Sequence, residues 1–274
     1  MRQFWIRNAR GETFDMNRED AFFSNPKGLG ISRKSSYERA GYLWAAKEDY
    51  MSQKKPQGDM VFDGYEQYDE FMRIAQYTPL TLMYQPLDTM YYMDVDSFTI
   101  DKGEISYRDT FLTCKVVFNG TSPWYLENVF ARRETAEDNG KRYGYTYPYT
   151  YAGGAAGETV LQNNSGMDAY CRLVIYGPVL NPAWKVTRSG ALVAEGRVLA
   201  EIGKDFCLVV DADPKNLEIA KCDLLGEKVA DLYEKSDFDT DRFIYLPPGE
   251  VKLKVEHAGP DDIKFYAEVR EFAG

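Results

Sequence analysis

The chain has 274 residues, 44% of them hydrophobic and 15% aromatic, with 43 Asp and Glu against 33 Lys and Arg and a formal net charge of −10. That length predicts two domains, each large enough to bury its own core, and the acidic balance of both halves excludes a basic nucleic-acid binder. Four widely spaced cysteines, Cys114, Cys171, Cys207 and Cys222, with no secretory leader after Met1, read as free buried thiols, and no apolar run is long enough to span a bilayer.

Residues 4–8, the Arg10-Gly11 turn and residues 13–16 predict a short hairpin. The stretch Asn25-Pro26-Lys27-Gly28-Leu29-Gly30 demands a tight backbone path. Its Gly-x-Gly has no third glycine and no helical pattern after it, so it does not make a phosphate loop. From residue 31 to 62 the chain is charged and sparsely apolar, with Tyr37, Tyr42, Leu43, Trp44 and Tyr50 spaced along it. This predicts long half-exposed strands or a projecting hairpin. The bases Lys27, Arg33, Lys34, Arg39, Lys47, Lys54 and Lys55 are interrupted by Glu38, Glu48, Asp49 and Asp59, which suits a solvated face or a salt-bridged subunit contact better than a phosphate-binding surface.

One helix is predicted, over residues 64–77. Tyr65, Tyr68, Met72 and Ala75 recur at helical spacing with Phe71 beside them, while Glu66, Asp69, Glu70 and Arg73 face away. Asp63 is placed to cap it in a box with Glu66, and Pro79 stops it. Strands follow at 80–84, 90–100 and 111–118, the last two joined through Asp101-Lys102-Gly103.

The joint at residues 119–151 separates two runs of strand pattern. Residues 132–141 hold three bases, three acids and no large apolar side chain, the composition of an exposed connector in which a protease should cut first. Tyr143, Tyr145, Tyr147, Tyr149 and Tyr151 then alternate with small or polar residues, as in an extended segment with one aromatic face. The expected organisation is a first domain at 1–130, a linker at 131–144 and a second domain at 145–274. In the second, strands are predicted at 170–176, 206–210 and 217–222. The strict alternation of Val251, Leu253 and Val255 with Lys252, Lys254 and Glu256 marks a half-buried strand, and Phe265, Ala267 and Val269 repeat it. Turn signals at roughly ten-residue intervals imply a helix-free β-sandwich or jelly roll.

Chemistry-bearing constellations are sparse. His257, the single histidine, lies beside a turn and is read as non-catalytic, so that its replacement should cost little. Asp237, Asp239 and Asp241 have the spacing of a calcium loop, but Arg242 stands where such a loop needs glycine and Pro248 where it needs the bidentate glutamate. Asp211, Asp213 and Asn216 are equally incomplete, and both sets read as acidic turns. Trp184, in Asn181-Pro182-Ala183-Trp184, is the candidate glycan or partner contact; the plainer reading makes it a plug at one end of the sandwich. Paired carboxylates for glycoside hydrolysis depend on a separation that a sequence does not give. No catalytic, metal or cofactor residue is assigned.

In order and spacing, several segments together resemble the distal tail (Dit) proteins of long-tailed phages. In the first half they are the opening strand, Pro26-Lys27-Gly28-Leu29-Gly30, residues 58–62 leading into Gly64-Tyr65-Glu66-Gln67-Tyr68 and Phe71, Leu80-Thr81-Leu82-Met83-Tyr84, and residues 114–118 with Thr121-Ser122-Pro123-Trp124-Tyr125. In the second half they are residues 163–166, Ile175-Tyr176-Gly177-Pro178, Asn181-Pro182-Ala183-Trp184, Asp237-Phe238 and Leu246-Pro247-Pro248-Gly249. The resemblance implies a mainly β fold: a β-sandwich or split-barrel hub domain with one α-helix, followed by a galectin-like β-sandwich. It implies a non-enzymatic virion protein without cofactor, forming a homo-hexamer at the tail tip. The implied partners are the tail tube protein, the tail-associated lysin or tip hub protein, and receptor-binding or other baseplate proteins, with genome DNA passing through the lumen. Galectin-type sugar chemistry is not implied, since it needs histidine and arginine around a tryptophan and His257 is distant from Trp184 in sequence. A carbohydrate-binding module and a β-sandwich polysaccharide hydrolase are the rival readings.

Overall fold

Short strands that bury every second side chain account for most of the computed structural model, which describes residues 2–103, 111–131, 156–259 and 262–272. Two compact units divide the chain, one running to Leu126 and one spanning Glu127–Phe272. The expected linker at 131–144, its cleavable segment and the alternating tyrosines 143–151 fall almost wholly outside the described residues.

The first unit holds β1 (Gln3–Arg7), β2 (Thr13–Asp15), β3 (Ala21–Lys27), β4 (Arg33–Ala40), β5 (Leu43–Met51), β6 (Gln57–Phe62), α1 (Tyr65–Ala75), β7 (Leu80–Gln85), β8 (Tyr91–Asp101), β9 (Leu112–Gly120) and the start of β10 (Tyr125–Ala131). The predicted opening hairpin is present as β1 against β2. Antiparallel pairing gives the order β2-β1-β7-β8-β9-β6-β3. Strand β8 serves two neighbours, pairing with β7 up to Val95 and with β9 beyond it across a register shift at Ser97. A bulge at such a place bends the strand and curls the sheet. Its two ends are stitched where Met16 N donates to Phe4 O at 3.1 Å and Phe23 N donates to Met16 O at 3.0 Å. The Asn17 side chain satisfies both backbone groups of Phe4 at 2.8 Å. The result is a split barrel around Phe4, Ile6, Phe14, Phe62, Leu82 and Phe118.

Helix α1 closes on this barrel through Phe71, which is fully buried with ring centroids 5.3 Å from Phe14, 5.7 Å from Phe62 and 6.1 Å from Phe98. Two helix expectations need correcting. The buried strip is Phe71, Ile74 and Ala75, whereas Tyr65 is exposed. Tyr68 and Met72 are half-buried and pack against the core as expected, Tyr68 with its ring 5.7 Å from Phe62, while the Lys102 ammonium sits 4.5 Å from the Tyr65 ring and 4.7 Å from that of Tyr68. Nor does Asp63 cap the helix. The N-cap is Gly64 at φ 107°, a backbone state that glycine reaches at little cost, and no side chain caps it.

The second unit contains β11 (Ala156–Asn163), β12 (Ala169–Tyr176), β13 (Val179–Leu180), β14 (Ala183–Arg188), β15 (Ala191–Arg197), β16 (Glu201–Ile202), β17 (Phe206–Asp211), β18 (Glu218–Asp223), β19 (Lys228–Asp231), β20 (Tyr245–Leu246), β21 (Gly249–Glu256) and β22 (Lys264–Phe272). A 3₁₀ turn, Tyr233–Lys235, is its one helical element among the described residues. One sheet runs β10-β22-β12-β17-β18-β19 and the other β11-β21-β14-β15. Leu173, Ile175, Leu208, Val210, Ala267 and Val269 from the first share a core with Leu161, Trp184, Val186, Leu253 and Val255 from the second. This is a β-sandwich, and the alternation over 251–256 lands as read, with the apolar set inside. All four cysteines are free and buried. Burial pushes their thiols up, which makes them packing groups and not nucleophiles.

Candidate interaction surfaces

Strands β4 and β5 form a ribbon of their own, paired from Arg33↔Met51 to Ala40↔Leu43 with a register shift between Ser36 and Tyr37, and joined by a turn at Gly41. No residue of β4 is buried, and at the tip Tyr42, Leu43 and Trp44 are 99%, 75% and 69% exposed. Strands of this length carry the tip about 26 Å from its root. A lone two-stranded ribbon is marginal in water, and exposed aromatics in a row are an unfilled contact. The root, in contrast, is fastened. Ser52 N donates to Ser32 O at 2.8 Å, Gly120 N to Lys54 O at 2.9 Å and Phe118 N to Pro56 O at 2.8 Å. The buried Lys54 Nζ donates to Gly30 O, and burial lowers its pKa. Trp124 Nε1 donates to Leu29 O at 3.0 Å beside it. A rigid root with an aromatic tip is a projecting arm, the alternative that the sequence left open for this stretch.

A second surface lies in the sandwich unit, on the outer face of β14, β15 and β21. Two adjoining cavities of about 380 and 460 Å³ share Ala183, Arg197 and Glu256. One wall is an arch, residues 237–242, fastened along β15 where Asp237 N donates to Arg197 O at 2.9 Å and Arg242 N donates to Glu195 O at 3.1 Å. Arg242 sits at φ 60°, in the left-handed region that costs a non-glycine residue on the order of 1 kcal/mol. Its guanidinium is held against aromatic rings, 4.4 Å from Phe238 and 5.0 Å from Tyr233, and its buried Nε and Nη1 have no hydrogen-bond partner.

Trp184 supports this arch from beneath. It is 2% exposed, and its Nε1 donates to Arg242 O at 3.1 Å. The ring occupies the space that a side chain at position 196 would need: a Cβ on Gly196 would meet it at 2.3 Å. The indole therefore presents no face for stacking. Register also brings the histidine near it, because β14 and β21 pair Trp184↔Val255 and Ala183↔Glu256, next to His257. Sequence distance had hidden that neighbourhood. His257 is nevertheless turned inward, its Nδ1 accepting from Gly259 N at 3.1 Å and Leu180 N at 3.4 Å. Removing it would leave those donors short of an acceptor, so the expectation of a negligible cost is corrected to about 1–3 kcal/mol.

The acidic stretches are spent on turns. Asp237 accepts from Asp239 N at 3.0 Å, Asp211 from Asp213 N at 3.0 Å and Asp213 from Lys215 N at 3.0 Å. Across the other sheet, Arg172 binds Glu268 at 3.0 Å and Asp211 at 3.6 Å, and Arg270 binds Asp213 at 2.7 Å. Burial still raises the Asp211 pKa despite these partners. The charged residues of the groove and the strained Arg242 were not singled out as binding residues from the sequence. Adjacent β14 and β15 could have been paired through the Ser189-Gly190 turn, but the places of β21 and the arch depend on tertiary register.

Residues 3–121 match the family model described as the distal tail protein, N-terminal domain. No curated protein sequence matches the chain. Among solved structures, a chain of the phage P2 baseplate in its activated conformation with Ca is similar over 100% of this chain and 99% of its own, at TM-score 0.67 and 16% identity. The same baseplate with Sr gives TM-score 0.66 at 16% identity, over 100% and 99% of the two chains. The SPP1 Dit protein, described as a paradigm of the hub adsorption apparatus in phages infecting Gram-positive hosts, is similar over 98% of both chains, at TM-score 0.62 and 10% identity.

Proposed function

Because residues 3–121 match the model of the distal tail protein N-terminal domain, we propose that the chain is a distal tail protein that forms a closed ring at the tail tip, most simply of six copies. As proposed, it is a structural protein of the phage tail, a reading supported by the match of residues 3–121 and by a fold similar over its whole length to the P2 baseplate chain and SPP1 Dit. In this reading it performs no catalysis. The observation that carries the ring is the β4–β5 arm: Tyr42, Leu43 and Trp44 stand exposed about 26 Å from the arm's own root. A contact between one such tip and a different surface on the next copy is heterologous, and heterologous contacts close into rings when the rotation permits. Each tip side chain buried in that contact contributes roughly 1.5–3 kcal/mol.

The ring stacks on the tail tube protein, and its second units hold receptor-binding or other baseplate proteins, with the tail-associated lysin or tip hub protein below. Genome DNA passes through the bore. Six copies at −10 each amount to −60, and carboxylates on the bore keep phosphates from sticking, whereas Lys and Arg would release counterions and hold the duplex. Native mass spectrometry and electron microscopy of the purified protein test the assembly, with closed hexamers expected. A strictly monomeric protein at micromolar concentration and in the virion would overturn it, as would a bore lined mainly by Lys and Arg.

A further inference from the structure

We propose that the groove over β14, β15 and β21 is a binding site for a neutral saccharide. Each of its two adjoining cavities, about 380 and 460 Å³, is within the size range of ligand pockets, and together they accommodate a sugar dimer or trimer. The wall is a built feature. The arch at 237–242 is fastened to β15 at both ends, Trp184 supports it from below, and it holds a non-glycine residue in the left-handed region. Strain of that kind persists only where the surroundings enforce it, and it collects at ligand clamps.

The lining selects the chemistry. Lys185, Arg197 and Lys254 face Glu195, Asp237 and Glu256, so three cations stand among three carboxylates. A charged ligand gains from one set and is repelled by the other. A hydroxyl donates one hydrogen bond and accepts two, and so can use both. The ion pairs Lys254–Glu256 at 2.8 Å and Lys185–Glu195 at 4.0 Å leave each partner with spare capacity, since an ammonium has three donors and a carboxylate about four acceptor sites. Thr240 adds a hydroxyl from the arch. In the second cavity exposed Leu199 gives an apolar wall for ring C–H groups, and Ala183 and Ala258 leave the floor shallow. Recognition thus rests on hydroxyl pattern, with Trp184 acting as a positioning residue through the Arg242 carbonyl.

All these residues lie in the second unit of one chain, so failure of the ring reading leaves the test unaffected. The full-length protein is titrated, by saturation-transfer NMR, with lactose, maltose, cellobiose and N,N′-diacetylchitobiose. Deacetylated chitobiose and digalacturonate serve as cationic and anionic counterparts of the same size. At least one neutral disaccharide should bind with a Kd in the millimolar range, ahead of both charged dimers. Arg197→Ala and Glu256→Gln should each weaken it about tenfold, the cost of one lost hydrogen bond to a charged group, with thermal melts unchanged. The proposal is overturned if no neutral disaccharide in the panel binds, if a charged dimer binds better, or if both variants bind like the parent chain.

Discussion

Within the first unit, two aromatic-bearing stretches have opposite fates. In α1 the Phe71 ring is packed on three sides by Phe14, Phe62 and Phe98. In the β4–β5 arm, Tyr42 and Trp44 have no such walls. Their composition does not separate them. What does is that α1 lies against a curled sheet whose interior lacks a plug, whereas the arm pairs only with itself. The same contrast holds between two of the four tryptophans, Trp184 sealed under the arch and Trp44 in solvent. A buried aromatic holds a fold together, and an exposed one awaits a neighbour.

The contrast breaks first at Phe71. Phe71→Ala should destabilise the first unit by about 3–5 kcal/mol, the usual cost of emptying a core aromatic site, read as a lowered denaturant midpoint. A loss below about 1 kcal/mol would mean that the ring is not a plug. The tryptophan contrast is sharpened by Gly196→Ala, which drives a methyl group into the Trp184 ring and should cost about 1–3 kcal/mol in the second unit. An unchanged melt would show that the indole is free to move. Trp44→Asp belongs at the opposite pole: monomer stability should stay within about 0.5 kcal/mol while oligomers dissociate in native mass spectra. Destabilised monomers would place the arm tip against its own chain.

The smallest effect concerns charge. Asp211 has its folded-state pKa raised, chiefly by burial, so the folded state holds a proton over a window in which the unfolded chain has released it. This contribution favours folding at low pH and fades as pH rises from the ordinary carboxylate value through the raised one. Asp211→Asn keeps an acceptor for Asp213 N and should flatten the melting temperature across that window. A pH profile identical to that of the parent chain would assign the burial cost elsewhere.

Much of the fold was legible because period-two burial is written locally. The strands read at 80–84, 90–100, 111–118, 170–176, 206–210 and 217–222 lie within a few residues of β7, β8, β9, β12, β17 and β18, and the Val251, Leu253, Val255 alternation identified an inward face without any partner known, whereas β10, β11, β14 and β15 were not read. The helix was placed and most of its inward stripe read, Tyr68, Phe71, Met72 and Ala75, but Tyr65 lies at the exposed rim beside Lys102 and the buried Ile74 was not named. The arm was half legible: spaced aromatics among charges announced exposure, but not a ribbon free of the barrel.

By itself, the sequence determined the β character, the one α-helix among the described residues, the buried free thiols, the acidic charge and the family resemblance, all properties that depend on residue type and near neighbours. Only the tertiary structure decided the closure of the barrel through Met16 and Asn17, the inward turn of Trp184 and His257, and the groove. Each depends on register between strands far apart in the chain, where a shift of one residue would turn every side chain to the opposite face.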